Sequence, residues 1–139
     1  MNSKLLSRRQ LSFLLFEWLD TEALLGRPRY QSHTRENLEV ILATCERMAT
    51  ELFAPHAKSS DEHEPRLEGG QVVLIPEIQQ ALRAFGEAGL VAAGHDEEIG
   101  GMQLPMVVEK AGFAWFLAAN VATASYPLLT IGASNLLAR

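Results

Sequence analysis

The sequence predicts a mainly helical domain. Through the first half of the chain, apolar residues recur at spacings of three and four, which is the period of a helix with one buried face. Residues 111–138 include no charged side chain, and an apolar run of this kind indicates buried helices. A length of 139 residues suits one domain with a core of its own.

The composition is that of an ordinary globular protein, with a net charge of −5 and a charged fraction of 21%. An acidic balance argues against nucleic acid as a partner, because contact with phosphates needs a basic face. The single Cys45 cannot form an internal disulfide, and the N-terminus lacks the apolar segment of an export signal. We therefore expect a cytoplasmic protein.

The first predicted helix covers residues 7–20. Phe13 and Phe16 point away from its apolar stripe, so we expect a second covered surface, packed against the rest of the chain or a partner subunit. The residues of the stripe are Leu11, Leu14, Leu15, Trp18 and Leu19.

The second predicted helix follows a break at Gly26 and Pro28, with Thr34 as its N-cap. Cys45 lies on its apolar stripe, where we expect a structural thiol with a raised pKa and no nucleophilic role. Pro55 should kink or end this helix. The stripe consists of Leu38, Ile41, Leu42, Cys45, Met48, Ala49 and Leu52.

Residues 56–70 are predicted to form a charged, solvated loop. A metal site could be imagined from four of its side chains, but their spacing fits no compact zinc pattern, and we expect no metal. These side chains are His56, Asp61, His63 and Glu64. The apolar run at residues 72–74 is too short to require a strand.

Pro76 is predicted to open a helix that stops at Gly89. Its inward residues would be Ile78, Ala81, Leu82 and Phe85.

The glycine pair Gly100 and Gly101 marks a loop, and Pro105 can start the helix after it. The preceding cluster could in principle supply an acid–base pair. Catalytic carboxylates need a desolvating pocket, however, and a loop with this much like charge indicates water instead. The cluster consists of His95, Asp96, Glu97 and Glu98.

The uncharged run at residues 111–138 is long enough to be weighed as a membrane span. Asn120, Pro127, Asn135 and the many small residues favour two buried helices that meet near Asn120. Pro127 should bend or divide the second of them. Its small residues could form the wall of a pocket or serve helix packing equally well.

The segments Phe85 to Leu90 (FGEAGL) and Asp96 to Gly101 (DEEIGG), with Leu104-Pro105, resemble the N-terminal helical domain of the acyl-CoA dehydrogenases. Ile99 stands where that family usually has an aromatic residue.

The segment from Ala118 to Ala133 is similar in sequence to the branch of this family that includes the 3-methylmercaptopropionyl-CoA dehydrogenases. Ile131 stands where that branch usually has a His. The resemblance divides the chain into an N-terminal extension helix and linker, residues 1–33, and an N-terminal helical domain, residues 34–139, truncated on its C-terminal side.

The resemblance implies an all-α, orthogonal or bundle-like domain without the family's β domain and C-terminal four-helix domain. It implies FAD-dependent α,β-dehydrogenation of an acyl-CoA in fatty acid metabolism, with an electron-transfer flavoprotein as electron acceptor and a homo-oligomer as the assembly. Because the family's catalytic glutamate and flavin-binding segment lie beyond these residues, we expect no catalytic residue, no bound FAD and no activity in this chain alone.

The resemblance also places four candidates at the acyl end of the substrate pocket, although plain helix packing explains them equally well. They are Ser125, Leu128, Leu129 and Gly132. The alternative function is a non-catalytic helical module for interaction or oligomerisation, because the uncharged C-terminal part would otherwise be left uncovered.

Overall fold

The computed structural model describes residues 4–138, which form six α-helices and one two-stranded sheet. Residues 1–3 and Arg139, the outer ends of the two predicted regions, lie outside the described range. The chain is therefore mainly helical, as predicted. In order, the elements are α1 Arg8–Ser12, α2 Arg35–Met48, α3 Ala57–Glu62, β1 Arg66–Glu68, β2 Gln71–Val73, α4 Pro76–Glu87, α5 Met106–Ala119 and α6 Val121–Leu137.

The first helix is present, but its buried side differs from the predicted stripe. Helix α1 continues as a π-helical stretch, Phe13–Trp18, in which each turn holds more residues than an α-turn. The wider turn rotates later side chains, so Phe16 is buried while Trp18 is 70% exposed and Leu19 is also exposed. The stripe assignment was therefore wrong for Trp18 and Leu19.

Thr34 is the N-cap of helix α2, as predicted. The Thr34 hydroxyl accepts from the backbone N–H of Asn37, whose side chain accepts from the Thr34 N–H in return. After α2, a π-helical stretch, Ala49–Phe53, shifts the buried side from the predicted Leu52 to Phe53.

Pro55 lies in a 3₁₀ turn, Ala54–His56, between that stretch and α3, so the change of helix predicted there is confirmed. The predicted loop 56–70 is wrong in its first part, because residues 57–62 form α3. His56 is buried and contacts another helix, which the composition of the segment did not indicate.

Strands β1 and β2 form an antiparallel hairpin with Leu67 opposite Val72. Gly69 and Gly70 make its two-residue turn at positive φ, which glycine adopts without steric cost. All six strand residues are exposed. The sequence did not predict this hairpin.

The later helices begin and end close to their predicted signals. Pro76 is the first residue of α4, and Gly89 follows that helix at φ +73°. Pro105 is the N-cap of α5, and Asn120 separates α5 from α6. Pro127 lies inside α6, which is not divided there.

The buried apolar residues form two adjoining clusters. We call the first the aromatic cluster, because the rings of Phe53, Phe85, Phe113 and Phe116 pack within it with neighbouring centroids 4.8–6.4 Å apart. The second joins the first helix to α2 and α5, and its members are Leu15, Phe16, Leu38, Ala93, Leu104 and Val108. Within residues 4–138, no helix has the length and apolarity needed to cross a bilayer.

Candidate functional site

The four predicted pocket residues lie along one side of α6, because spacings of three and four residues return to the same side of a helix. Leu128 is 43% exposed and Leu129 is 74% exposed, while Ser125 is half-buried. A Cβ added at Gly132 would meet no atom within 4 Å. We call this side, extended to Val121 and Leu136, the α6 outer face. Residues 4–138 do not enclose it.

The opposite side of α6 holds the helix on the domain. Thr123, Ala124, Pro127 and Ile131 are buried there, and Ile131 belongs to the aromatic cluster. The small side chains predicted in this run thus serve helix packing on one side of α6 and leave an open apolar surface on the other.

The junction of α5 and α6 contains a buried polar group that was not predicted from the sequence. Asn120 accepts from the backbone N–H of Thr123 at 3.1 Å and donates to the carbonyl of Phe53 at 3.2 Å. His56 Nε2 lies 2.8 Å from the Thr123 hydroxyl, and Ser60 lies within 3.3 Å of the Asn120 amide nitrogen. We call His56, Ser60, Asn120 and Thr123 the polar corner.

The polar corner includes neither a carboxylate nor a thiol. Its polar groups hydrogen-bond to one another and to the carbonyl of Phe53. The polar corner therefore has a structural role, which is to fix α6 against the segment around residues 53–60. One signal was available in the sequence, since Asn120 interrupts an uncharged run. Its partners lie about 60 residues away, and no local pattern identifies them.

The side chains weighed as metal ligands do not come together. His56 is in the polar corner, His63 Nδ1 faces the carbonyl of Ser59 at 3.0 Å, and Asp61 and Glu64 are exposed. Across residues 4–138 there is no group of three His, Cys, Asp or Glu side chains arranged to hold a metal.

The acidic loop around Gly100 is held by the segment before α2. Arg29 forms an ion pair with Asp96 and also donates to the carbonyl of Gly94 at 3.1 Å. The hydrogen bond with Asp96 raises the pKa of Arg29 above its ordinary value. The side chain of Gln103 donates to the carbonyl of Arg29 at 2.9 Å. The loop is exposed, as expected, but it is anchored.

Two histidines extend this anchoring. His33 Nε2 donates to the carbonyl of Met102 at 2.8 Å, and His95 Nε2 lies 2.7 Å from the hydroxyl of Ser134 on α6. Because His95 turns toward α6 while Asp96 turns toward Arg29, the two do not form an acid–base pair.

Cys45 is buried in the aromatic cluster, and burial raises its pKa to about 11. The prediction of a structural thiol with a raised pKa is thus confirmed for the pKa and the burial.

Comparison with known proteins does not identify a family. No protein-family model matches this chain, and no curated protein matches it either.

Proposed function

We propose that this chain is the N-terminal helical part of an FAD-dependent acyl-CoA dehydrogenase and that it contributes the α6 outer face to the acyl end of the substrate pocket. The observation that supports the proposal is that Ser125, Leu128, Leu129 and Gly132 lie on one side of α6, where all but the half-buried Ser125 are exposed. Leucines offer an apolar wall, and the small residues leave space beside it for an acyl chain.

In this proposal the chain supplies shape and leaves the chemistry to other segments. Dehydrogenation requires the α- and β-hydrogens of the acyl group to be aligned in a dry slot between a base and the flavin. The polar corner and the His95–Ser134 contact hold α6 in place, so its outer face can serve as a fixed wall. The base, the FAD site and the contact with an electron-transfer flavoprotein belong to the complete enzyme, a cytoplasmic homo-oligomer.

The decisive experiment begins with the DNA downstream of codon 139. We expect an in-frame continuation that encodes a β domain and a second helical domain. The extended product should bind FAD and reduce a dye in the presence of an acyl-CoA, whereas the chain of 139 residues should do neither. A stop codon directly after Arg139, or an extended product without flavin, would contradict the proposal.

A matched pair of variants tests the role of the α6 outer face in the extended product. Leu129→Arg should lower kcat/KM by about tenfold or more, because it places a charge in an apolar pocket. Val40→Arg alters another highly exposed apolar residue, on α2, and should leave kcat/KM unchanged. Equal effects of the two substitutions on kcat/KM would contradict the proposal that the α6 outer face lines the substrate pocket.

The second candidate is a non-catalytic helical module that interacts through the same face. It is favoured by the exposure of Leu128, Leu129 and Leu136, since apolar side chains that adjoin on a surface often mark a contact. Light scattering after size-exclusion chromatography separates the candidates. The module should show a mass above that of one chain, and Leu129→Glu, but not Val40→Glu, should return it to the monomer. A monomer at every concentration would exclude self-association.

A further inference from the structure

The hairpin of β1 and β2 stands apart from the packed helices. Within residues 4–138 its sheet has two strands, and every residue from 61 to 73 is exposed. A two-stranded hairpin is only marginally stable in water unless a further strand or a helix supports it. Leu67 is 75% exposed, and Val72 directly opposite is 67% exposed. The hairpin therefore presents an apolar pair and open strand edges to a partner.

The outer edge of β1 has free backbone hydrogen-bonding groups at Leu67. The two glycines of the turn are flanked by Glu68 and Gln71, which exchange the first pair of backbone hydrogen bonds in a hairpin with a two-residue loop. Bonded and unbonded pairs alternate along antiparallel strands, so the N–H and C=O of Leu67 point away from β2. A second strand that runs antiparallel along this edge can bond to both groups.

The charges of β1 make this edge complementary to itself. Arg66 and Glu68 lie on one face of the strand, with Nε and Oε1 3.5 Å apart, and Leu67 lies on the other face. When two copies of β1 pair antiparallel about Leu67, Arg66 of each copy lies opposite Glu68 of the other. A shift of the pairing by two residues would instead place two arginines or two glutamates opposite each other, which is unfavourable. The charges thus select one register.

The same register joins the apolar faces of the two hairpins. Leu67 of one copy lies beside Leu67 of the other, and each has its own Val72 on the far side, so four apolar side chains form a row across a four-stranded sheet. The outer edge of β2 is less suitable. Its three residues carry no charges to fix a register, and Leu74 after it is already half-buried.

We propose that two copies of this chain associate through the outer edges of β1, as antiparallel strands centred on Leu67. The contact is isologous, because each copy contributes the same residues around a two-fold axis. Pro65 has no N–H and limits the pairing to a short segment, so we expect a dissociation constant on the order of 0.1–1 mM. The contact does not involve α6, so it is independent of both candidate functions of the α6 outer face.

The test mixes two charge-reversed forms of the whole chain. In Arg66→Glu both neighbours of Leu67 are acidic, and in Glu68→Arg both are basic. Each variant alone places like charges opposite each other, which should raise the dissociation constant by about tenfold or more. An equimolar mixture restores two pairs of opposite charge, so a heterodimer should form with about the affinity of the parent chain.

Sedimentation equilibrium at millimolar concentration measures these dissociation constants. The parent chain and both variants carry Leu129→Glu, which removes any association through the α6 outer face. A dimer that persists in this background therefore reports on the hairpin. Rescue in the mixture also excludes an effect of the ion pair between Arg66 and Glu68 within one chain, because neither variant regains that pair.

A disulfide tests the register directly. Leu67→Cys places two thiols opposite each other, at the Cα separation of roughly 5.5 Å found in a hydrogen-bonded pair, which a disulfide can span. Val72→Cys is the matched control, because it is similarly exposed but would lie about 14 Å from its counterpart, three strand spacings away. Under mild oxidation Leu67→Cys should form a covalent dimer at least several-fold faster. The natural Cys45 is buried.

The proposal is overturned if the parent chain or the mixture of variants stays monomeric, if either variant alone dimerises as well as the parent, or if Leu67→Cys and Val72→Cys cross-link at equal rates. Each substitution changes an exposed residue and leaves both buried clusters intact. Circular dichroism verifies that every variant keeps its helices.

Discussion

Single residues set how closely the helices of this domain approach one another. A Cβ added at Gly112 of α5 would lie 3.0 Å from the sulfur of Cys45 on α2, which is tighter than ordinary side-chain packing. The contact joins α2 to α5 at the point where the thiol is buried. Cys45 is therefore a packing residue of the interface between these helices.

The raised pKa of Cys45 predicts a loss of stability at high pH. Above the ordinary thiol pKa of 9.0 the unfolded chain releases this proton, while the folded chain keeps it up to about pH 11. The contribution is thus complete below pH 9 and is lost as the pH rises to 11, by about 2 kcal/mol. Urea unfolding at both pH values should show this extra loss in the natural chain and not in Cys45→Ala. Equal losses would contradict the burial of the thiol.

The close packing around Gly101 makes the anchored loop sensitive to substitution at this position. An added Cβ there would overlap the carbonyl of His95 and lie 2.8 Å from the carbonyl of Ala92. Gly101→Ala should therefore lower the free energy of unfolding by about 1–3 kcal/mol. Gly86→Ala is the matched control, because its Cβ meets no atom within 4 Å and alanine favours the helix. Thermal unfolding should move in opposite directions for the two variants.

At the scale of elements, α5 and α6 share one residue as their boundary. Asn120→Ala removes the cap of α6 and leaves the buried carbonyl of Phe53 without its donor. We expect a loss of about 2–4 kcal/mol in urea unfolding. Asn135→Ala changes an exposed asparagine of the same helix and should shift the stability by less than about 0.5 kcal/mol. Similar values for both would show that the polar corner contributes little.

The sequence predicted where helices begin and end better than which side they bury. Thr34, Pro76 and Gly89 act through their own backbone geometry, so local chemistry is sufficient to recognise them. The burial of Phe16 in place of Trp18 depends on a π-helical turn. Such a turn is selected by packing against α2 and α5, and a 3.6-residue period cannot anticipate it.

The same distinction holds for the candidate site. The common face of Ser125, Leu128, Leu129 and Gly132 follows from their spacing in any continuous helix. The polar corner joins His56 to Thr123 across 67 positions of the chain. Only the folded structure shows such a contact, because no periodic pattern links two distant segments.

For the whole molecule, the aromatic cluster is the larger of the two buried clusters. The Phe116 ring lies 4.8 Å from that of Phe53 and 5.0 Å from that of Phe85. Phe116→Ala should cost about 3–5 kcal/mol, which is a large share of the stability of a typical domain. Leu117→Ala removes an exposed neighbour and should cost less than about 1 kcal/mol. Denaturant titration measures the free energy of unfolding of both variants. Equal losses would contradict the role of Phe116 as a core residue.

The exposed hairpin makes this domain a host for an inserted protein. Its turn at Gly69 and Gly70 has open space around both residues, and no strand residue is buried. A fluorescent protein placed between these glycines with short linkers should leave both apolar clusters undisturbed. We expect the fusion to keep the helical circular dichroism and unfolding midpoint of the parent chain, whereas the same insertion between Phe116 and Leu117 should abolish folding.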